Sequence, residues 1–112
     1  TYAQWTADEV HADGEIYAAA MWRVYELYTG AGFTNDDLLA TFVDGMNFTP
    51  AAPAPEDMRD GMLASADIRG NDAETCLIWQ GFAEQGIGLG AQGKQGDDFK
   101  ITQSFEVPAA CE

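Results

Sequence analysis

The feature that most constrains this fold is a helix-length segment that is apolar on almost every side. From Gly14 to Tyr28 the sequence reads GEIYAAAMWRVYELY, and its apolar residues recur at spacings of three and four, the period of an α-helix. Only three positions are charged, namely Glu15, Arg23 and Glu26. A helix without a wide polar face belongs inside a larger body. We therefore predict a helix that is enclosed on most sides by other parts of a larger body.

Local signals indicate where this helix begins and ends. Asp13 can cap its first turn through a side-chain oxygen, and Gly30 and Gly32 can end it. The thirteen residues before it, 1–13, are mixed in character, and we expect them to be irregular.

Capping residues predict three further helices. Thr34 with Asp37 forms a capping-box pair ahead of a second helix. Pro55 suits the first position of a third helix that runs to about Ile68. Asn71 with Glu74 is expected to cap a fourth. The predicted inward face of the second helix consists of Leu38, Leu39, Phe42, Val43 and Met46, and the fourth helix carries Cys76, Leu77, Trp79, Phe82 and Ala83.

The remaining segments are predicted connectors. The proline-rich stretch 49–55 cannot continue a helix and is expected to be extended. The glycine-rich stretch 86–96 lacks the strand and the Lys-Ser/Thr ending of a phosphate loop, so we expect a flexible connector. Residues 100–107 alternate in polarity and predict a short strand or an extended tail.

The predicted fold class is mainly α, with about four helices in a small bundle-like lobe followed by an extended C-terminal tail. The chain has 112 residues, which fits one domain spanning 1–112. No apolar run approaches the roughly 20 residues that span a bilayer. The net charge of −14 repels phosphate backbones and anionic lipid surfaces, so nucleic acids and membranes are excluded as expected partners.

Few residues could carry catalysis or bind a metal. His11 is the single histidine, and Cys76 and Cys111 are the only cysteines. A structural zinc site needs four Cys or His ligands, which the chain does not have. The two cysteines either form one disulfide in an exported protein or stay reduced and buried. A Cys–His nucleophile pair is disfavoured, because each cysteine lies in a segment that is predicted to be structural.

Five motifs, in order along the chain, resemble the fungalysin metallopeptidases. They are VHADGEIYAAAMWRVYELY (10–28), FVDGMNFTPAAP (42–53), MRDGMLASAD (58–67), CLIWQGFAEQGIGLGA (76–91) and FEVPAAC (105–111). Any one of these motifs alone would be a weak signal. Because all five are similar to family segments in the same order, the resemblance covers nearly the whole chain.

The resemblance implies a fold and a role for His11. The fold would be the C-terminal subdomain of a thermolysin-like peptidase, which forms one wall of the active site. His11 would then hydrogen-bond the developing oxyanion and so stabilise the transition state. Asp8 or Glu9 could orient its ring, although neither lies at the family's spacing. Ala51 replaces a cysteine that the family often has, which leaves Cys76 and Cys111 to pair with each other.

The chain also departs from the family pattern, since it contains no His-Glu-x-x-His motif. The resemblance therefore implies that zinc is bound by an N-terminal half of a longer parent, an expectation in line with a start at Thr1 rather than Met. We expect no cofactor in this chain itself and no activity in isolation. The expected partners are that zinc-binding half and peptide substrates, in an extracellular, secreted protein. The alternative is a non-catalytic secreted module that binds partners or self-assembles as a homo-oligomer.

Overall fold

A computed structural model describes residues 1–6, 10–93 and 100–112. Four α-helices make up the described part: α1 (Val10–Gly30), α2 (Asn35–Gly45), α3 (Pro55–Ile68) and α4 (Asp72–Ala83). Short 3-10 turns lie at Tyr2–Gln4, Met46–Phe48 and Ala109–Cys111. The largest contacts join α1 to α4 and α2 to α3, and α3 also packs on α4. Within the described ranges, no helix combines the length and apolarity needed to cross a membrane. The predicted mainly α fold with four helices is confirmed.

Helix α1 was predicted to be enclosed on most sides, and this is wrong, because it packs mainly on α4 and leaves side chains such as Trp22 exposed. Ile16, Ala20, Val24 and Tyr28 recur every four residues and are all buried. The start of the helix differs from the prediction, because α1 begins at Val10 and Asp13 lies within its first turn. Asp13 is buried, and its carboxylate accepts a hydrogen bond from the backbone N–H of Thr6 at 2.9 Å. The side chain therefore ties the preceding segment to the helix instead of capping it.

The start of α2 is confirmed, and its inward face only in part. Thr34 and Asp37 exchange the two capping-box hydrogen bonds, at 2.8 and 3.2 Å. The bonds from Thr34, led by its backbone N–H, lower the pKa of the Asp37 carboxyl. Leu38 is buried, but Leu39 and Val43 are each more than half exposed and Met46 is nearly half exposed. The prediction was wrong for those three because the main partner of α2 is α3, which covers a single side of the helix.

The bounds of α3 agree with the prediction, whereas the cap of α4 does not. Pro55 occupies the first turn of α3, and the N–H of Ala54 donates to the Asp57 carboxylate at 2.8 Å. Asn71 precedes α4 but makes no side-chain capping bond. Glu74, the other expected cap residue, is fully buried. Its carboxylate points into the core, where it has partners on other helices.

The prediction of a flexible connector at 86–96 is wrong for the part that the structure describes, 86–93. Ile87 and Ala91 are buried in the core. The segment bonds to the C-terminal tail, since the N–H of Gly88 donates to the carbonyl of Ser104 at 2.7 Å. Among residues 86–93 and 100–112, the tail forms isolated bridges, at Ile87–Ser104 and Gln92–Thr102, and no strand. Of the two predicted forms, the extended tail is therefore the observed one. Residues 94–96 lie outside the described ranges.

Residues 1–13 were expected to be irregular, and the described residues 1–6 are more ordered than that. Tyr2 is completely buried and belongs to the core cluster. Its N–H donates to the carbonyl of Gln85 at 2.7 Å. Burial of this aromatic side chain and the backbone hydrogen bond together hold the segment against the core.

A disulfide joins α4 to the tail. The Sγ atoms of Cys76 and Cys111 are 2.06 Å apart, and the two Cα atoms are 5.2 Å apart, a usual separation for a disulfide. The bond holds the C-terminal 3-10 turn against α4.

The contact between α1 and α4 requires a glycine at position 81. A Cβ on Gly81 would lie 2.4 Å from Cγ2 of Val24 and 3.0 Å from its backbone nitrogen. A helix backbone cannot give way as a flexible side chain can, so the two helices would have to move apart. Gly14 is also helical, but a Cβ added there would have nothing within 4 Å. Gly14 therefore provides a matched control.

We predict opposite effects for the two glycine-to-alanine substitutions. Gly81→Ala should lower the free energy of unfolding by about 1–3 kcal/mol, because overpacking outweighs the gain in helix propensity. Gly14→Ala should raise it by about 0.5–1 kcal/mol, because alanine loses less chain entropy in a helix. Urea unfolding followed by circular dichroism measures both. Equal effects of the two substitutions would contradict the close α1–α4 contact.

Candidate functional site

His11 lies in the first turn of α1, and its side chain is exposed to solvent. The turn that carries it is held from two sides. Ile16 anchors the helix in the core, and Asp13 binds Thr6 through both the backbone N–H at 2.9 Å and the hydroxyl at 3.4 Å. The histidine therefore projects from the end of α1 that these contacts hold.

Two grooves flank the amino-terminal turns of α1. One, of about 210 Å³, is mainly apolar and includes Trp5, Tyr17, Pro53 and Met58. The other, of about 320 Å³, is more polar and includes Gln4, Glu15 and Gln85 among its lining residues. His11 lines neither groove. The first groove offers apolar surface close to the start of α1, and the second offers amide and carboxylate groups.

Tyr17 contributes a buried polar atom beside the apolar groove. Its hydroxyl has no hydrogen-bond partner among the residues that the structure describes. Burial raises the pKa of Tyr17 to about 12, because the charged phenolate is less well solvated there than in water.

The other predicted site residues are placed as follows. Asp8 and Glu9, the candidate acids for orienting His11, lie outside the described residues. Cys76 and Cys111 form the disulfide. Neither therefore has a free thiol that could act as the nucleophile of a Cys–His pair. Across residues 1–6, 10–93 and 100–112, no group of three or more His, Cys, Asp or Glu side chains could hold a metal ion. The described part of the chain therefore offers no ligand set that fits zinc.

A buried polar cluster around Glu74 was not predicted from the sequence. One carboxylate oxygen of Glu74 accepts hydrogen bonds from the hydroxyls of Tyr28 and Thr41, both at 2.6 Å. The guanidinium of Arg69 donates to the other oxygen at 3.1 Å and also contacts the Thr41 hydroxyl. Glu74 is fully buried, whereas the Arg69 side chain is about a quarter exposed. We call Tyr28, Thr41, Arg69 and Glu74 the Glu74 cluster.

The Glu74 cluster has a structural role, since its carboxylate has no access to solvent. A buried charge is tolerated only when it is paired and hydrogen-bonded, and here both oxygens of Glu74 have donors. Burial, and then the hydrogen bond to Glu74, raises the pKa of Tyr28 above its ordinary value. Helical periodicity could have identified Glu74, because it lies four and eight residues before the buried Ile78 and Phe82.

A second set of polar contacts holds the glycine-rich segment. The Glu56 carboxylate accepts from the Tyr2 hydroxyl at 2.5 Å and from the N–H of Gly93 at 2.6 Å. Arg59 is buried and donates to the carbonyls of Ile87 and Gly88 at 2.9 and 2.7 Å. These bonds join α3 to residues 87–93 and to the amino terminus. The Glu56 and Arg59 side chains therefore hold the backbone of the glycine-rich segment in place.

Comparison with known proteins decides the family. A family model described as Fungalysin metallopeptidase (M36) matches residues 1–91, most of the chain. The chain belongs to the fungalysin metallopeptidase family. This confirms the resemblance that the five motifs indicated.

Fungal relatives show how much of a family member this chain spans. Extracellular metalloproteinase 3 of Trichophyton rubrum is 29% identical over 92% of the chain. Extracellular metalloproteinase of Pyrenophora tritici-repentis is 30% identical over 89% of it. The chain spans only 18% of the length of either relative. This fungalysin chain thus corresponds to a small part of those proteinases.

The Glu74 cluster makes a prediction about two tyrosines. Tyr28→Phe should destabilise the fold at pH 7 by about 1.5–3 kcal/mol, because it removes a donor from a buried charge. Tyr17→Phe should change stability by less than about 1 kcal/mol, because its hydroxyl has no described partner to lose. Urea unfolding at neutral pH measures both.

Tyr28 also affects how the stability of the fold depends on alkaline pH. The folded pKa of Tyr28 lies above its ordinary value of 10.0, so the folded protein keeps a proton that the unfolded chain loses. This stability is fully present below about pH 10 and is lost as the pH rises further. The alkaline loss should be shallower in Tyr28→Phe than in the unchanged chain. Equal slopes would contradict the burial of this hydroxyl.

Proposed function

We propose that this chain is the C-terminal helical subdomain of a secreted zinc endopeptidase and forms one wall of its active site. The observation that carries the proposal is the exposed histidine in the first turn of a helix whose inner side lies in the core. Family membership supports the reaction class, which is peptide-bond hydrolysis in the parent protein. The disulfide supports an extracellular location, since such bonds persist in oxidising compartments, and the names of the fungal relatives agree with it.

His11 is the proposed transition-state stabiliser. A histidine N–H that is directed at the position of a developing oxyanion stabilises the transition state more than the ground state. Such a donor must be preorganised, because reorientation during the reaction would use up part of the gain. The fixed first turn of α1, held by Ile16 and by the Asp13–Thr6 bonds, supplies that preorganisation. We propose that Asp8 or Glu9 orients the imidazole and fixes its tautomer.

The metal and the attacking water belong, in this proposal, to another part of the parent. When bound in such a peptidase, zinc polarises the peptide carbonyl and activates water. The described residues of this chain offer no ligand set for it, and we assign this chain no step at the metal. The chain's own contribution is the His11 donor and the walls of the two grooves beside it.

A second candidate function is favoured by exposed apolar side chains. Trp22 is 63% exposed, Leu39 55% and Val43 53%, and large exposed apolar surface often marks an interaction site. In the first proposal, the rest of the parent covers part of this surface. In the second, the chain is a secreted binding or self-assembling module without catalysis. Only the first gives His11 a role in turnover.

Replacement of His11 in the full-length parent distinguishes the two candidates. His11→Phe should lower kcat about 10²–10³-fold, as loss of one oxyanion donor does, with little change in KM. Glu26→Gln is the matched control, since Glu26 is an exposed residue near the other end of α1 and should leave kcat unchanged. Steady-state kinetics on a peptide substrate measures both variants. An unchanged kcat in His11→Phe would refute the proposed role.

A further inference from the structure

The turn after α2 carries a sequence that the proposed function does not use. Asn47, Phe48 and Thr49 form an Asn-x-Thr triplet in which the middle residue is not proline, the acceptor pattern for N-linked glycans in secreted proteins. The other two asparagines do not form it, because Asn35 is followed by two aspartates and Asn71 by aspartate and alanine. The chain therefore contains one such triplet.

The fold presents Asn47 to solvent at a fixed position. Asn47 lies in the exposed 3-10 turn Met46–Phe48, directly after α2. The end of α2 is held close to α3, since a Cβ on Gly45 would lie 3.0 Å from the backbone of Gly61. Thr49 is half-buried, and its hydroxyl donates to the carbonyl of Met46 at 2.8 Å. A large group on Asn47 would therefore extend into solvent without displacing the packed helices.

We propose that Asn47 is an N-glycosylation site. In the modification, the side-chain amide nitrogen of Asn47 forms a bond to the anomeric carbon of an oligosaccharide. The bond from that carbon to a lipid-linked diphosphate breaks, the diphosphate leaves, and the amide loses a proton. The donor is a polyprenyl-diphosphate oligosaccharide of the secretory pathway. The inference rests on the proposed secretion of the parent, which the names of the fungal relatives support.

A glycan at this position would also cover apolar surface. Met46 and Phe48, the neighbours of Asn47, are each 46% exposed. A hydrated oligosaccharide between them would hinder the approach of another apolar surface, so this edge of α2 faces solvent in the glycosylated protein. Partners of the exposed apolar side chains on α1 would then bind elsewhere on the lobe.

The test is to secrete the full-length parent from a fungal host under a standard secretion leader. The leader sends the protein through the glycosylation pathway whatever its native location, so the result does not depend on the proposed function. Peptide-N-glycosidase treatment in water enriched in heavy oxygen converts a glycan-bearing asparagine to labelled aspartate. Peptide mass spectrometry then reads the label at position 47.

Three variants make the result specific. Thr49→Ser keeps the acceptor triplet and should keep the label. Thr49→Val removes the hydroxyl at nearly the same volume and should abolish the label. Asn47→Gln should abolish the label and, unlike Thr49→Val, leaves the Thr49–Met46 hydrogen bond in place, so that loss of folding cannot explain both losses. An unlabelled Asn47 in the secreted unchanged protein and in Thr49→Ser would overturn the proposal, while the His11 kinetics would be unaffected.

Discussion

The buried carboxylate of Glu74 is the interaction to which all four helices contribute. Tyr28 reaches it from α1, Thr41 from α2 and Arg69 from the end of α3, while Glu74 itself belongs to α4. Taking a carboxylate out of water costs several kcal/mol unless hydrogen bonds and an opposite charge compensate. The helices must therefore adopt an arrangement that delivers all three partners at once. Arrangements that bury Glu74 without them are disfavoured, which makes the cluster a constraint on the fold as well as a set of contacts.

This constraint extends along α1 to the candidate site. Near its C-terminal end, α1 is held by the Tyr28–Glu74 bond, and further along by the close contact between Val24 and Gly81. At its first turn, the Asp13–Thr6 bonds fix the preceding segment. A helix held at three points along its length presents His11 in one direction. This rigidity is what a preorganised hydrogen-bond donor requires.

Local chemistry made some of this structure predictable from the sequence, and long-range pairing determined the rest. The starts of α2 and α3 were predicted because the Thr34–Asp37 pair and Pro55 act on their own turns. Asp13 was misassigned as a cap because its carboxylate accepts a hydrogen bond from the backbone N–H of Thr6, which lies outside the helix. Glu74 was misassigned as a cap because an acidic residue in the first turn of a helix is usually exposed and stabilised there by the helix dipole. Here the side chain lies on the buried face.

The glycine-rich segment and the candidate site also combine features that local sequence predicts with features that depend on long-range contacts. Composition indicates flexibility for a run of glycines, but the hydrogen bonds from Arg59 and the tail, which hold residues 87 and 88, come from other parts of the chain. The motif around His11 identified it as a candidate, but the sequence prediction placed it in an irregular segment ahead of the helix, whereas it lies in the first turn of α1. The apolar groove near the start of α1 could not be predicted, because Trp5, Tyr17, Pro53 and Met58 come together only through folding.

The central claim is that His11 acts on the reacting carbonyl, and a crystal structure of the full-length parent with a bound phosphorus-containing peptide analogue tests it most directly. Such an analogue carries an oxygen at the position of the oxyanion. We expect an imidazole nitrogen of His11 about 2.7–3.1 Å from that oxygen. A His11 side chain that points into solvent, with another residue bonded to the analogue oxygen, would contradict the claim.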